Sequence, residues 1–410
     1  MNYIKNKLMI NKNQIVIFGA GKIGRSFIGQ LFGCNGYTVV FIDVYKNIID
    51  GLNQQGSYRV VIKGEIEKEI LVPNVQAISS LDKEKVVEAV SNAGIMAVSV
   101  GKNVLKIIIP VIADGLIARN NKYPGKPLDI ILAENMRSAS NFVSKYLKEN
   151  LPSGFPMKAM VGLVETSIGK MVPIVPLAEL KKDPLAVFAE AYNTLIVDRK
   201  GFKSSIPDIV GLAPKDNIKA WVDRKAFIHN LGHATAAYYG YKKHPNAVYM
   251  YEILEDKEVL LFTRSVMLQS AYILKAIYPE DFTISDLENH IDDLIFRFRN
   301  KALQDTIFRV GQDLIRKLGP DDRFMGAIHL AINSGKPYDL ILEAMSYGLY
   351  FNAKDETGNC SSSDLSFLNS LDKDVESTFT KLLHYDKLLD SDVIVELSRL
   401  YREKRVLKKL

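Results

Sequence analysis

Apolar positions follow two rhythms along the chain. In the first half, short apolar runs rich in β-branched residues alternate with amphipathic stretches. Residues 15–18 of "QIVIFGAGKIGRSFIGQLF" read as a buried strand, and Ile23, Phe27, Ile28 and Leu31 then form a helical stripe. "YTVVFID" reads as a second strand ending at Asp43, and "YRVVI" and "EKEILV" as strands on an excursion from the central sheet. "AGIMAVSVG" predicts a strand ending in small residues, residues 103–118 a helix bent at Pro110, and "KAMVGLVET" another strand. "LDIILAEN" predicts a strand that delivers Glu134 and Asn135 to its carboxyl end, where open α/β sheets bind ligands. "MVPIVPLAEL" is turn-rich and apolar, and reads as a passage towards a second domain.

From about residue 195 the rhythm changes. "GFKSSIPDIVGLAPKDN" is a loop region with two prolines and two glycines, and helical periodicity dominates after it. Helices are expected at 221–239, 245–253, 257–277, 283–319, 322–333, 336–347 and 373–386. The resulting fold class is α/β: a Rossmann-type N-terminal domain, residues 1–200, followed by a mainly α-helical C-terminal domain, residues 201–410.

Gly19, Gly21 and Gly24 form G-x-G-x-x-G directly between the first strand and its helix. Gly19 permits the tight turn, Gly21 lets backbone approach a pyrophosphate, and Gly24 allows close helix–strand packing. The loop from Gly19 through Ala20, Gly21, Lys22 and Ile23 to Gly24 is therefore the expected cofactor cradle, with the helix N-terminus facing the phosphates. Asp43 ends the next strand nineteen residues after Gly24. A carboxylate there accepts hydrogen bonds from ribose hydroxyls and repels a 2′-phosphate, so NAD is favoured over NADP, although Lys46 is nearby.

"KAFIHNLGHATAAYYG", residues 225–240, concentrates the remaining polar chemistry. On a regular helix at about 100° per residue, Lys225 stands at 0°, His229 at about 40°, His233 at about 80° and Asn230 at about 140°. Three readings compete: a metal site, a proton-transfer site, or a packed helix with paired polar groups. HNLGH has the histidine spacing of H-E-x-x-H, but Asn230 occupies the place of the glutamate base, and no downstream His or Cys cluster supplies a third ligand. A lysine desolvated among such neighbours is a base candidate.

Composition narrows the field. Hydrophobic residues make up 47% and charged ones 24%, ordinary for a globular protein. The net charge of +6 is mild and dispersed; it permits anionic substrates but carries no nucleic-acid signature. Cys34 and Cys360 are far apart, which fits a reducing compartment rather than a disulfide framework. "MNYIKNKLMINKNQ" lacks the apolar core of a signal peptide, and "KIIIPVIADGLIA" is broken by Pro110 and Asp114. A cytoplasmic, membrane-free protein is expected. The terminal "SRLYREKRVLKKL" reads as a basic amphipathic helix or a fraying tail.

These residues resemble the polyol-specific long-chain dehydrogenases. That family carries K-x4-N-x2-H, present here as Lys225, Asn230 and His233. "FGAGKIGRSFIG" and "FIDV" match its cofactor loop and acid. "VSVGKNVLKIIIP", "AENMRSAS", "GFKSSIPDIVG" and "IFRVGQDLIRKLGPDDRFMGA" are similar to its phosphate-substrate branch. The resemblance runs from about residue 14 to the late helices. It implies NAD-dependent, metal-independent, reversible oxidation of D-mannitol 1-phosphate to D-fructose 6-phosphate, by a monomer or small homo-oligomer. In it Lys225 is the general base, Asn230 and Asn135 hold the reacting oxygen, and His233 orients that oxygen or Lys225. His229 has no family role and is expected to be structural. Where the family has "VDSAVDRIVP"-like residues this chain has "VETSIGKMVP", so Glu165 and Lys170 are the candidates there for substrate contact, with Gly169 replacing an acid. For a substrate phosphate the candidates are Lys219 and Arg224 first, then Arg137, Lys170 and Arg323. The alternatives are a dehydrogenase of an unphosphorylated hexitol or a hexuronate, and an NAD-binding module without turnover.

Overall fold

A computed structural model of the chain describes residues 10–407, with side chains through residue 403. Part of the opening stretch and the end of the basic tail lie outside the described residues. The chain divides between Ile218 and Lys219 into two compact units.

The first unit is built on an eight-stranded sheet. Its strands are β1 (Asn11–Phe18), β2 (Thr38–Asp43), β5 (Val75–Ser79), β6 (Ala93–Val98), β7 (Leu128–Leu132), β8 (Val161–Ser167), β10 (Leu195–Asp198) and β11 (Leu212–Lys215). Their order is β11-β10-β8-β7-β6-β1-β2-β5. From β5 to β8 every pairing is parallel; β10 runs antiparallel to β8, and β11 parallel to β10. The β5-β2-β1-β6-β7-β8 portion is the doubly wound order that reverses at β1, where a dinucleotide binds beyond the strand ends. Alternate residues of β1 enter opposite cores, as period-two geometry requires. Ile15 and Ile17 pack with Phe27, Leu31 and Phe41, whereas Val16 and Phe18 pack under Val86, Leu105 and Ile109.

The excursion read from "YRVVI" and "EKEILV" is a second sheet, β4-β3-β9, made by β3 (Tyr58–Ile62), β4 (Lys68–Val72) and β9 (Val187–Ala189). "MVPIVPLAEL" therefore does not lead out of the first unit. The chain passes through the helix Leu177–Lys182 and returns to pair β9 with β3. β11 likewise keeps the loop after residue 201 in the first unit, so the division falls later than residue 200.

The second unit is helical. The helix Lys257–Ile277 coincides with the periodic stretch and starts on Asp256, whose side chain accepts from Glu258 N at 2.7 Å. The helix Leu231–Lys243 is buried along most of its length. Gly232 lies against Met267 and Gly240 against Ile253, so small residues bring neighbouring elements close. The stretch expected as one helix over 283–319 is instead Ile284–Phe298 followed by short turns. Gln304 (φ 47°) and Asp313 (φ 71°) break it with left-handed backbone. Helix Ser362–Lys373 is not among the expected ones, whereas Ser391–Leu407 takes in the start of the terminal stretch read as a basic amphipathic helix or a fraying tail, with Val393, Ile394, Leu397 and Tyr401 buried on one face. Among the described residues, no helix is long and apolar enough to cross a membrane.

Candidate active site

In the first unit, the glycine loop leaves β1 at Gly19, whose φ of 96° suits glycine. A Cβ at Gly24 would collide with the Gly19 carbonyl, and one at Gly19 would stand 2.6 Å from Ser99 O. Gly21 is different: a Cβ there meets no protein atom within 4 Å. Packing does not require glycine at Gly21, which leaves close approach of a ligand as the physical reason for it. Asp43 Oδ2 accepts from Ala20 N at 2.6 Å, and Oδ1 from Val44 N and Tyr45 N at 2.7 and 3.0 Å. The acid is thus fixed at the loop; both lone pairs of Oδ1 are engaged, and Oδ2 retains one for a ribose hydroxyl. These residues fit NAD.

Two buried charged residues outside the glycine motif brace backbone here, Arg25 at the loop itself and Glu134 at the turn after β6. Arg25 is buried behind the loop and donates from Nε to Ala20 O at 2.7 Å and from Nη1 to Leu185 O at 2.5 Å. Glu134 accepts from Val100 N at 2.7 Å and from Gly101 N at 2.9 Å, pinning the turn after β6. Burial raises the Glu134 pKa against those backbone donors. The sequence signal was a charged residue inside each apolar motif, which needs a partner when buried.

The other candidates of this unit have structural partners. Asn135 is exposed in the loop after β7 and does not cap the following helix, which starts from Ser138. Glu165 Oε1 accepts from Ser140 N at 2.9 Å and Ser140 Oγ at 2.7 Å, at the first turn of the helix Ala139–Asn150. Lys170 is buried and donates to Gln30 Oε1 at 2.9 Å and Asn193 Oδ1 at 2.8 Å. Burial lowers its pKa to about 8, opposed by Glu190.

In the second unit, Lys225–Asn230 winds as a π-helical turn between the α-helices Ile218–Arg224 and Leu231–Lys243. This corrects the regular wheel drawn from sequence. A π turn closes over five residues, so Lys225 and Asn230 come round to nearly the same side instead of standing about 140° apart. The wider turn also leaves its carbonyls open to outside donors. Ser270 Oγ donates to Phe227 O at 2.6 Å, and Arg323 Nη1 to Asn230 O at 3.2 Å. Desolvation, then the Arg323 charge, lowers the Lys225 pKa to about 8, with Asp322 pulling the other way and Arg316 adding to the fall.

The His233 ring stacks on Phe298 at 4.3 Å and 7°. His229 is buried with its ring 5.5 Å from Phe298, and burial, then Arg297, holds its pKa well below the usual value. The cations proposed for phosphate are engaged within the unit. Lys219 Nζ is 2.8 Å from Asp223 Oδ2, the Arg224 guanidinium lies 4.2 Å over Trp221, and Arg323 Nε donates to Asp322 Oδ1 at 2.8 Å. Arg137 is exposed in the loop that carries Asn135. Among the described residues, no group of three or more His, Cys, Asp or Glu could hold a metal ion.

Residues 13–211 match the family model of the mannitol dehydrogenase Rossmann domain, and residues 217–392 that of the mannitol dehydrogenase C-terminal domain. The chain belongs to the mannitol dehydrogenase family. Membership makes it an NAD-dependent oxidoreductase of a polyol or sugar. Two solved structures share its fold along nearly the whole chain. One is a D-sorbitol dehydrogenase in substrate-free form, at 17% identity and TM-score 0.74, covering 95% of this chain and 93% of that one. The other is the Pseudomonas fluorescens mannitol 2-dehydrogenase in ternary complex with NAD and D-mannitol, at 15% identity and TM-score 0.72, covering 97% and 95%. At these identities the likeness establishes the fold of this mannitol dehydrogenase family member.

Proposed function

We propose that this protein is an NAD-dependent hexitol dehydrogenase that oxidises one secondary hydroxyl to a ketone and runs in reverse with NADH. What supports the reading is the π turn that Lys225 shares with Asn230, together with the burial and the Arg323 charge that lower the lysine pKa to about 8. When bound, NAD+ accepts hydride from the carbinol carbon. Neutral Lys225 takes the hydroxyl proton; protonated, it returns that proton in ketone reduction. The Asn230 amide donates to the oxygen as negative charge develops on it. His233, held flat by Phe298, orients the oxygen.

A second reading takes a phosphorylated substrate, as a mannitol-1-phosphate 5-dehydrogenase does, and rests on the segments similar to that branch. The partners of Lys170, Lys219, Arg224 and Arg323 inside the protein favour the unphosphorylated hexitol. NADH oxidation with fructose, fructose 6-phosphate and a hexuronate, each with and without chelator, separates the cases. Turnover of fructose, indifferent to chelator, is expected. Turnover of fructose 6-phosphate alone would move the assignment to the phosphate branch. NADH binding with no turnover of any of the three would leave only a binding module.

Asp43 gives a separate expectation. Asp43→Ser removes a charged acceptor worth about 1.5–3 kcal/mol. The NAD dissociation constant should rise roughly 10- to 100-fold, with a smaller penalty for NADP. Equal affinities for NAD in the variant and the parent, measured by titration, would remove Asp43 from the ribose site.

A further inference from the structure

We propose that Asp305 is a positioning residue for His233: its Oδ2 is the acceptor for Nε2–H, which leaves Nδ1 as the acceptor that the ring presents. The proposal rests on the hexitol dehydrogenase reading for its effect on turnover, but its geometry is independent of it.

Asp305 sits where the helical pattern breaks, directly after left-handed Gln304. Its carboxylate is buried and gripped from one side only. Oδ1 receives Arg309 Nε at 2.6 Å and Nη2 at 2.5 Å, and the Asp305 carbonyl receives Met250 N at 2.9 Å. Oδ2 is turned the other way, 3.3 Å from His233 Nε2. Both of those atoms are buried, and neither has a well-aligned hydrogen-bond partner, so each is the other's nearest recourse. Stacking on Phe298 fixes the plane of the ring, and the carboxylate selects which edge faces it.

The charge states agree with the geometry. Burial lowers the His233 pKa, helped by Arg309 and Arg323 and opposed by Asp305, so the ring is neutral near pH 7. Burial alone would raise the Asp305 pKa, but His233 and Arg309 outweigh it and the acid stays ionised. An ionised carboxylate only accepts. A neutral imidazole facing it with Nε2 must carry its single proton there. His233 then accepts a hydrogen bond through Nδ1, from a substrate hydroxyl or from the Lys225 ammonium, and does not compete with Asn230 as a donor. An Arg309–Asp305 ion pair kept only for stability would not need the second oxygen aimed at a histidine.

The test is nitrogen-15 NMR of histidine-labelled full-length protein, with the His233 signals identified by their loss in His233→Gln. The unsubstituted protein should show the Nε2–H tautomer near neutral pH. Asp305→Asn should convert it to a mixture or to Nδ1–H, because an amide both donates and accepts. In the same variant kcat for ketone reduction should fall on the order of tenfold to a hundredfold, with the KM for NADH unchanged and part of the loss restored in Asp305→Glu. An Nδ1–H tautomer in the unsubstituted protein overturns the proposal without any variant having to fold. So does an Asp305→Asn protein that melts earlier yet keeps its kcat and tautomer. If the unsubstituted protein turns over no polyol or ketose, the hexitol reading fails while the tautomer measurement still decides the role of Asp305.

Discussion

Lys225→Ala should lower kcat by about 10²–10⁴-fold, the usual worth of a positioned acid–base group, and leave NADH binding nearly unchanged. The cofactor loop and Asp43 belong to the first unit and Lys225 to the second, so a fluorescence titration with NADH serves as the control. The direction of the pH dependence is also fixed. Oxidation needs the neutral amine, so its rate should rise with pH through about 8 and level off above it. Reduction needs the ammonium and should fall over the same interval. Arg323 helps hold the amine pKa down, and so Arg323→Met should move both profiles to higher pH. Steady-state rates in Lys225→Ala close to those of the parent, or profiles flat between pH 6 and 10, roughly two units either side of the transition, would remove Lys225 as the base.

The second large effect separates two glycines of one motif. Gly24→Ala places a methyl group against the Gly19 carbonyl and Ser99 Oγ, so the loop or the first helical turn must shift. Overpacking of this kind costs about 1–3 kcal/mol, and NAD affinity should fall with it. Gly21→Ala meets no protein atom and should leave the melting temperature almost unchanged while weakening NAD at least tenfold. Calorimetry beside NAD titration reads both quantities. Should Gly21→Ala bind NAD as the parent does, the open side of that residue does not face the pyrophosphate.

The contrast between these glycines shows what could be read from the chain. G-x-G-x-x-G, the strand before it and Asp43 after it are local in sequence, and their geometry follows from backbone sterics that any fold would impose. The helix Lys257–Ile277 was equally legible because one face is apolar and Asp256 caps it. Pairings that span long loops were not. Nothing in "VFA" announces that β9 will join β3, and β10 and β11 are four-residue strands whose alternation is too brief to register. Lys170 was a candidate because it stands where the resembling family has an arginine; its burial against Gln30 and Asn193, distant in sequence, could not be read from the chain. Lys225, Asn230 and His233 were identifiable by type and spacing. Their relative orientation was not, since the regular wheel assumes the α-helical hydrogen bonds that this segment lacks.

A π turn differs from an α turn by one residue. Deleting a single residue between Lys225 and Asn230 would let the backbone close as an ordinary helix with no hydrogen bond forfeited. The packed length beyond it, with Gly232 on Met267 and Gly240 on Ile253, could stay in place. Lys225 and Asn230 would then stand four residues apart on a regular helix, about 40° from one another, so the pair would stay on one side, whereas an α-helical turn with every residue retained would set them about 140° apart. The extra residue is therefore what opens the Phe227 and Asn230 carbonyls to Ser270 and Arg323, and a one-residue gap here in a related sequence would mark an ordinary helical turn at this point.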